Sequence, residues 1–360
     1  MPLPPVPAAT VTPAAYFPEK YFLENLAVRS DGSVLVTAVL QKELWYVPGP
    51  RHDAHVDPLL VHTFEHLIAG IVEVEPDVFI VNLSDAYTTH ESHLARVDFT
   101  DWTPGDSVSP EIIFTFDDRA RGLNGSCLLG PGVVLVADCF AGFIWRIDLD
   151  ERATNATARI WLAHDTMAMD PDSGMPPPPQ PGVNGVRYGS QTGYLYYTST
   201  AQKVFMRVAV DPMTLEPAGA AEFVAAIDNA DDFCVDEHAG FAYVTRHRAN
   251  TLDRVSLTPR HGSEVRHIVG DPFDDALAGP SSAAWGRGTG DHGRVAYVTN
   301  DGAPPRRPTA LCGKPRWCVS NCVRRPRRQR RPPHTDIGSP QSPVRPGVTL
   351  RLILDGRGAA

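Results

Sequence analysis

Residues 123–148 read LNGSCLLGPGVVLVADCFAGFIWRID, and residues 183–211 read VNGVRYGSQTGYLYYTSTAQKVFMRVAVD. Both open on Asn-Gly, run through a short apolar segment, turn at a Gly-rich step, and continue through two further strand-like segments. A lone Asn-Gly is ordinarily a turn signal. Its return in a matching context points to a repeat, and a repeat decides the fold.

The series extends in both directions. An earlier member is LENLAVRSDGSVLVTAVLQKELWYV from Leu23, and a degenerate one, FEHLIAGIVEVEPDVFIVNLSDAYTTHESHLARVDF, starts at Phe64. Later members are ADDFCVDEHAGFAYVTRHRANTLDRVSL from Ala230 and GPSSAAWGRGTGDHGRVAYVTNDG from Gly279. Matching positions lie 60 residues apart from Asn124 to Asn184, 47 from Asn184 to Asp231 and 49 from Asp231 to Pro280. A period of roughly 50 with three or four strands per unit is that of a β-propeller blade. Six units predict an all-β, six-bladed propeller in one domain. Second segments such as VLVTAV, VVLVAD and YLYYTS are apolar at nearly every position, as strands covered on both faces must be. The competing architecture is a β-sandwich.

Composition agrees. Of 360 residues 42% are apolar and 21% charged, and Pro and Gly number 34 and 29, which suits short strands and tight turns. A net charge of −9 argues against nucleic acid or an anionic membrane surface as partner. No apolar run approaches the roughly 18–20 residues of a membrane span. MPLPPVPAATVTPAA lacks the basic start and apolar core of a secretory leader, so a cytoplasmic location is expected. The oligomeric state is not readable.

The propeller is expected over residues 16–302, after a Pro/Ala-rich extension at 1–15. Residues 303–347 break the pattern inside the sixth unit and concentrate Arg, Pro and Cys, as in VRRPRRQRRPP. They read either as a basic disordered tail or, favoured by the abrupt break, as a segment outside the true reading frame. Residues 348–360 begin as a strand again, one that could supply the outer strand of blade six. Cys127, Cys139 and Cys234 read as buried free thiols. Cys312, Cys318 and Cys322 have a spacing that fits none of the common zinc patterns.

In a propeller, residues at the start of the innermost strand of each blade converge at one mouth of the central channel. Those positions hold Glu24 with Asn25, Asn124, Asn184, and Asp231 with Asp232. Carboxylates and amide oxygens together are the hard donors that a cation such as Ca²⁺ accepts. The alternative is that each polar residue caps its own turn. His62, His66, His90, His93 and His247 lie in or beside the same segments. Tyr188, Phe233, Trp285 and Phe64 lie near first strands, with core packing as their default role. The long Pro-rich stretch 164–182 precedes Asn184. GTGDHG at 288–293 matches a dinucleotide-binding pattern but precedes a strand and opens no helix, so the pyrophosphate argument fails.

The pattern from Leu23 to Gly302 resembles the SMP-30/gluconolactonase/LRE-like six-bladed propellers. Within them it is most similar to a fungal branch with phrases such as ENLAVRSDGSVLVT, LNG…VLVAD and GPSSAAWGRG. The lactonase members imply one divalent metal (Ca²⁺, Zn²⁺ or Mn²⁺) on Glu24, Asn124, Asn184 and Asp231, with Asp231 as general base. The contexts differ here: Glu-Asn-Leu, Asn-Gly-Ser and Ala-Asp-Asp replace Glu-Gly-Pro, Asn-Asp-Gly and Pro-Asp-Gly. The fungal branch also resembles the hetero-Diels-Alderases of tropolone–sesquiterpenoid biosynthesis, which guide cycloaddition of a quinone methide onto an alkene. That resemblance implies an intracellular cyclase of secondary metabolism, cofactor-free, in which the same four residues position or polarise a hydrophobic small molecule. The expectations are thus a cyclase first, a metal-dependent lactonase second, and a non-catalytic binding propeller third.

Overall fold

The computed structural model describes residues 8–49, 56–170, 180–259, 265–273, 277–302 and 346–355. These form six four-stranded antiparallel sheets. The inner strands of blades one to six are Leu23–Val28, Ile68–Glu75, Leu123–Gly130, Val183–Gly189, Ala230–Asp236 and Pro280–Trp285. Each packs against the inner strands before and after it, and the sixth against the first, so the sheets close into a ring. This is the six-bladed propeller that the repeat predicts.

Each sheet is apolar on both faces and needs a neighbour on each side. The core accordingly divides into six clusters, one at every blade interface. Leu35, Phe79 and Phe99 meet between blades one and two, and Tyr196, Phe205 and Phe233 between four and five. Second strands such as Val34–Ala38 and Val133–Asp138 are buried throughout. Outer strands such as Leu59–Thr63 are largely open to solvent.

Blade six is assembled from both ends of the chain. Its order from the rim is Ala8–Glu19, Pro346–Asp355, Val295–Asn300, Pro280–Trp285. The segment read as the blade's outer strand is therefore its third. The outer strand comes from the N-terminus, and residues 8–15, assigned to an extension by composition, are part of it. Pro13 and Pro18 disguise this strand. Proline is tolerated only where no ladder donor is needed, and the register shifts between Pro13 and Ala15 and between Tyr16 and Glu19. The Arg/Pro/Cys-rich segment, with Cys312, Cys318 and Cys322, lies outside the described residues.

Turns between first and second strands carry Gly32, Gly132, Gly193, Gly240 and Gly293 at positive φ, with Asp77 in blade two. Regular structure other than strand is limited, among the described residues, to two single-turn 3-10 helices, Asp165–Met167 and His247–Ala249. Among the described residues, no helix is long and apolar enough to cross a membrane. Cys127, Cys139 and Cys234 are buried free thiols.

Candidate functional site

All six inner strands begin alike. The first residue pairs with the last residue of the second strand, as Leu123 does with Asp138 and Ala230 with Arg246, or in blade two with the last but one, Leu83, and the next two leave the ladder in a bulge. The first bulge position holds Glu24, Ala69, Asn124, Asn184, Asp231 and Ser281 in turn. A bulge re-aims a side chain out of the strand's alternation. Glu24, Asn124, Asn184 and Asp231 consequently line one cavity of about 330 Å³, with Ala69 between them. Ser281 is instead spent on its neighbours, its hydroxyl bonding the Leu23 carbonyl at 2.7 Å.

The second bulge position faces elsewhere. Asp232 is buried, pairs with Arg187 and accepts from the Ser282 hydroxyl at 2.7 Å. Asn25 lies 3.4 Å from the same hydroxyl. Neither lines the cavity, so the Glu24–Asn25 and Asp231–Asp232 pairs are split between two environments. Blades two to four place glycine at this position, and there the Asn-Gly is no turn. Gly125 sits inside a strand, and a Cβ on it would stand 2.6 Å from the Asn184 carbonyl oxygen of the next blade. Clearance between blades, not turn geometry, requires the glycine.

A ring of side chains on the second strands holds the bulges. Thr37, Thr198, Thr245 and Thr299 each accept the N–H of the second bulge residue in their own blade. Each also donates to the carbonyl of the first bulge residue in the next. Thr299 thus fixes the Glu24 backbone at 3.0 Å, and Thr198 fixes that of Asp231. In blade two the Asn82 amide donates to the Asn124 carbonyl at 2.6 Å. Blade three has Ala137 at this place.

Two carboxylates share the cavity, Glu24 at 6% exposure and Asp231 at 7%. Burial pushes the Glu24 carboxyl well above its usual range, reinforced by the charges of Asp231, Asp232 and Asp301 and opposed by a hydrogen bond from Asn124. Burial likewise raises Asp231; His247 and the Asn184 amide oppose the rise, and Asp232 adds to it. The Asn184 nitrogen is committed to the Thr200 hydroxyl at 3.0 Å. Its oxygen, and that of Asn124, are buried without a hydrogen-bond partner.

On each second strand, the residue that follows the partner of the inner strand's first residue forms another ring: Val39, Ser84, Cys139, Thr200, His247 and Asp301. Val39, Ser84, Cys139, Thr200 and His247 line the cavity. His247 Nε2 lies 2.8 Å from Asp301 Oδ2. Burial lowers the imidazole's pKa, but the Asp301 hydrogen bond and the Asp301 and Asp231 charges outweigh it, and the net shift is upward. Asp301 and Thr200 escape a search based on inner strands. Their signal is one residue further along, after VAYVTN and YLYYTS. Of the other histidines, His62 lies in an outer strand, His66 and His93 sit together on blade two, and His90 bonds the Arg121 carbonyl. Phe64 and Phe233 are core residues, and Tyr188 and Trp285 pack against the core. None of these lines the cavity.

The cavity is two-sided. Blades one to three contribute Phe22, Leu67, Tyr87, Leu123 and Phe140, while blades four and five contribute Thr200, Asn229, His247 and Arg248. Gln180 and Pro181, at the end of the Pro-rich stretch, complete the rim.

No protein-family model and no curated protein matches this sequence. Solved structures do match. A luciferin-regenerating enzyme superposes with a TM-score of 0.62 at 14% identity, covering 97% of this chain and 96% of its own. The calcium-binding protein regucalcin from Agrobacterium tumefaciens gives 0.57 at 15%, covering 96% of each chain. A putative gluconolactonase gives 0.54 at 15%, covering 83% of this chain and 91% of its own. What these likenesses establish is the fold.

Proposed function

We propose that the chain is a divalent-metal-dependent hydrolase of hydrophobic lactones. The observation that carries this reading is the donor set at the first bulge position. Two buried carboxylates stand beside two buried amide oxygens that no protein donor reaches. An unsatisfied buried acceptor costs about 1–3 kcal/mol, and more when charged. A divalent cation would satisfy both amide oxygens and neutralise both carboxylates at once, and its ligand shell of carboxylates, amide oxygens and water is of this kind. The calcium-binding and gluconolactonase proteins that share the fold support the same reading. A cycloaddition catalyst needs an apolar cavity and a few donors, and amide oxygens buried without a donor serve it poorly.

Glu24, Asn124, Asn184 and Asp231 would hold the ion, which supplies Lewis acidity toward a lactone carbonyl. The apolar wall of Phe22, Leu67, Tyr87 and Phe140 would take the hydrocarbon part of the substrate and exclude water from it. Asp301 occupies His247 Nε2, which leaves Nδ1 as the base of the ring. His247 Nδ1 would take a proton from the attacking water and return it to the departing ring oxygen. This assigns proton transfer to His247 and leaves Asp231 as a ligand.

The test is hydrolysis of an aryl-fused lactone and of glucono-δ-lactone by the full chain, before and after chelation. We expect a chelator-sensitive activity, restored by a divalent ion and favouring the aryl lactone. Glu24→Gln should abolish ion binding, whereas His247→Ala should lower kcat and leave ion stoichiometry intact. Metal-independent acceleration of a quinone methide cycloaddition, without lactone hydrolysis, would overturn the proposal in favour of a cyclase.

A further inference from the structure

On blade two, outside the cavity, His66, Asp85 and Glu91 bring one potential ligand atom each to within 4.8 Å of one another. His66 Nδ1 and Asp85 Oδ2 are 2.8 Å apart. A second imidazole lies alongside: the His93 and His66 ring centroids are 4.6 Å apart. His93 Nδ1 is held by the Thr115 hydroxyl at 2.9 Å. Its Nε2 is buried and has no hydrogen-bond partner. One ring nitrogen fixed by a polar neighbour with the other left free is the usual state of a metal-ligating histidine. From these observations we infer that His66, His93, Asp85 and Glu91 form a second metal site, selective for a borderline transition ion such as Zn²⁺ over Ca²⁺.

The chemistry separates this cluster from the channel mouth. The mouth offers oxygen alone, the donor preference of Ca²⁺. Blade two offers two imidazoles and two carboxylates, a set suited to Zn²⁺ or Co²⁺. Zinc–ligand bonds of about 2.0–2.2 Å in a tetrahedron set neighbouring ligand atoms about 3.4 Å apart. His66 Nδ1 and Asp85 Oδ2, at 2.8 Å, would open slightly as their shared proton leaves, while the exposed Glu91 and the His93 ring close in. The ion would displace the proton shared by His66 and Asp85.

The position gives such a site a consequence. Asp85 accepts the Leu67 N–H at 3.1 Å, and its own N–H bonds the Glu91 carbonyl at 2.9 Å. Leu67 on one side, and Ser84, Ala86 and Tyr87 on the other, line the cavity. An ion on blade two would tie the hairpin connection 85–91 to the approach of the inner strand and so stiffen the apolar wall. The inference stands whether or not the mouth proves to be a lactonase site.

The experiment is retention of Zn²⁺ by chelator-stripped full-length protein in excess Ca²⁺, read by elemental analysis after desalting and by the Co²⁺ visible spectrum. One Zn²⁺ per chain is expected, held equally by Asp231→Asn. His66→Ala and Glu91→Gln should each weaken it at least about tenfold. Glu91 is exposed, so its variant guards against misfolding, which melting in chelator would reveal. Failure of the wild type to retain Zn²⁺ above Ca²⁺, or undiminished retention by both variants, would overturn the inference and leave His66–Asp85 a plain ion pair.

Discussion

Asn124 and Gly125 divide one bulge between chemistry and clearance. The asparagine turns its amide into the cavity, and the glycine lets blade four pass. A methyl at Gly125 would meet the Asn184 carbonyl oxygen at 2.6 Å and Gly185 Cα at 3.0 Å, both backbone atoms that cannot step aside. Gly125→Ala should therefore cost about 1–3 kcal/mol or more, read as a fall in the denaturant midpoint. Gly219→Ala, where nothing lies within 4 Å, should cost little. The buried carboxylates predict an unusual pH dependence. Unfolded Asp and Glu titrate near 4, whereas burial raises both groups in the folded chain, Asp231 to about 7. The folded state then binds more protons than the unfolded state through this window, and stability falls as pH rises through it. His247, raised above its ordinary value, contributes stability below pH 6.5 that is lost on the way up and so adds the same sign. Thermal melts of chelator-treated protein should show a lower Tm at pH 8 than at pH 5, and a divalent ion should remove the difference. Asp231→Asn should flatten this dependence while losing at least about 100-fold in ion affinity. A melt indifferent to pH would show that the two carboxyls titrate normally.

At the scale of the element, the site is made by the second strand as much as by the first. Thr198 accepts the Gly185 N–H at 2.9 Å and donates to the Asp231 carbonyl, so Thr198→Val strands two buried backbone groups in different blades. A loss of about 1–3 kcal/mol per unmet group is expected. Ion affinity should fall as well, because the freed carbonyl is that of Asp231 itself. Thr198→Ser should retain both properties, and calorimetric melts with ion titrations would check the pair. The four inner-strand positions were legible in the sequence because polar residues recur there at the blade period. Ala69 and Ser281 share the geometry but not the polarity, so pattern alone left blades two and six without a site residue. The threonine ring was present in VLVTA, YLYYTS, FAYVTR and VAYVTN, yet a threonine in a strand reads first as β propensity. Only the register shows that each one bridges two blades. Asp301 was hidden for another reason. Its role depends on His247 in the neighbouring blade, and no local spacing records that contact.

For the whole molecule, closure of the ring is the property on which every site depends. Inner strands five and one, and the second strand of blade six, must keep their places for Asp231 and Glu24 to face one cavity and for Asp301 to reach His247. Blade six is the weak joint, since two of its four strands come from opposite ends of the sequence. Ala8–Glu19 buries Ala14, Ala15 and Phe17, the last two against the cluster that blade one shares. It also pairs with Pro346–Asp355, whose Leu350, Leu352 and Leu354 belong to the next cluster. Deleting residues 1–19 would leave that strand as an unpaired apolar edge, which is a template for aggregation. It would also remove three buried side chains from the joint. Buried apolar side chains are worth about 1.5–3 kcal/mol each when large, a substantial part of the 5–15 kcal/mol that holds a typical domain folded. The truncated chain should melt far below the full one, or aggregate, and should lose ion binding at the mouth although no ligand was removed. A synthetic peptide of residues 8–19 should restore part of both by adding the missing strand. An unchanged Tm on truncation would mean that the three remaining strands of blade six seal the ring unaided.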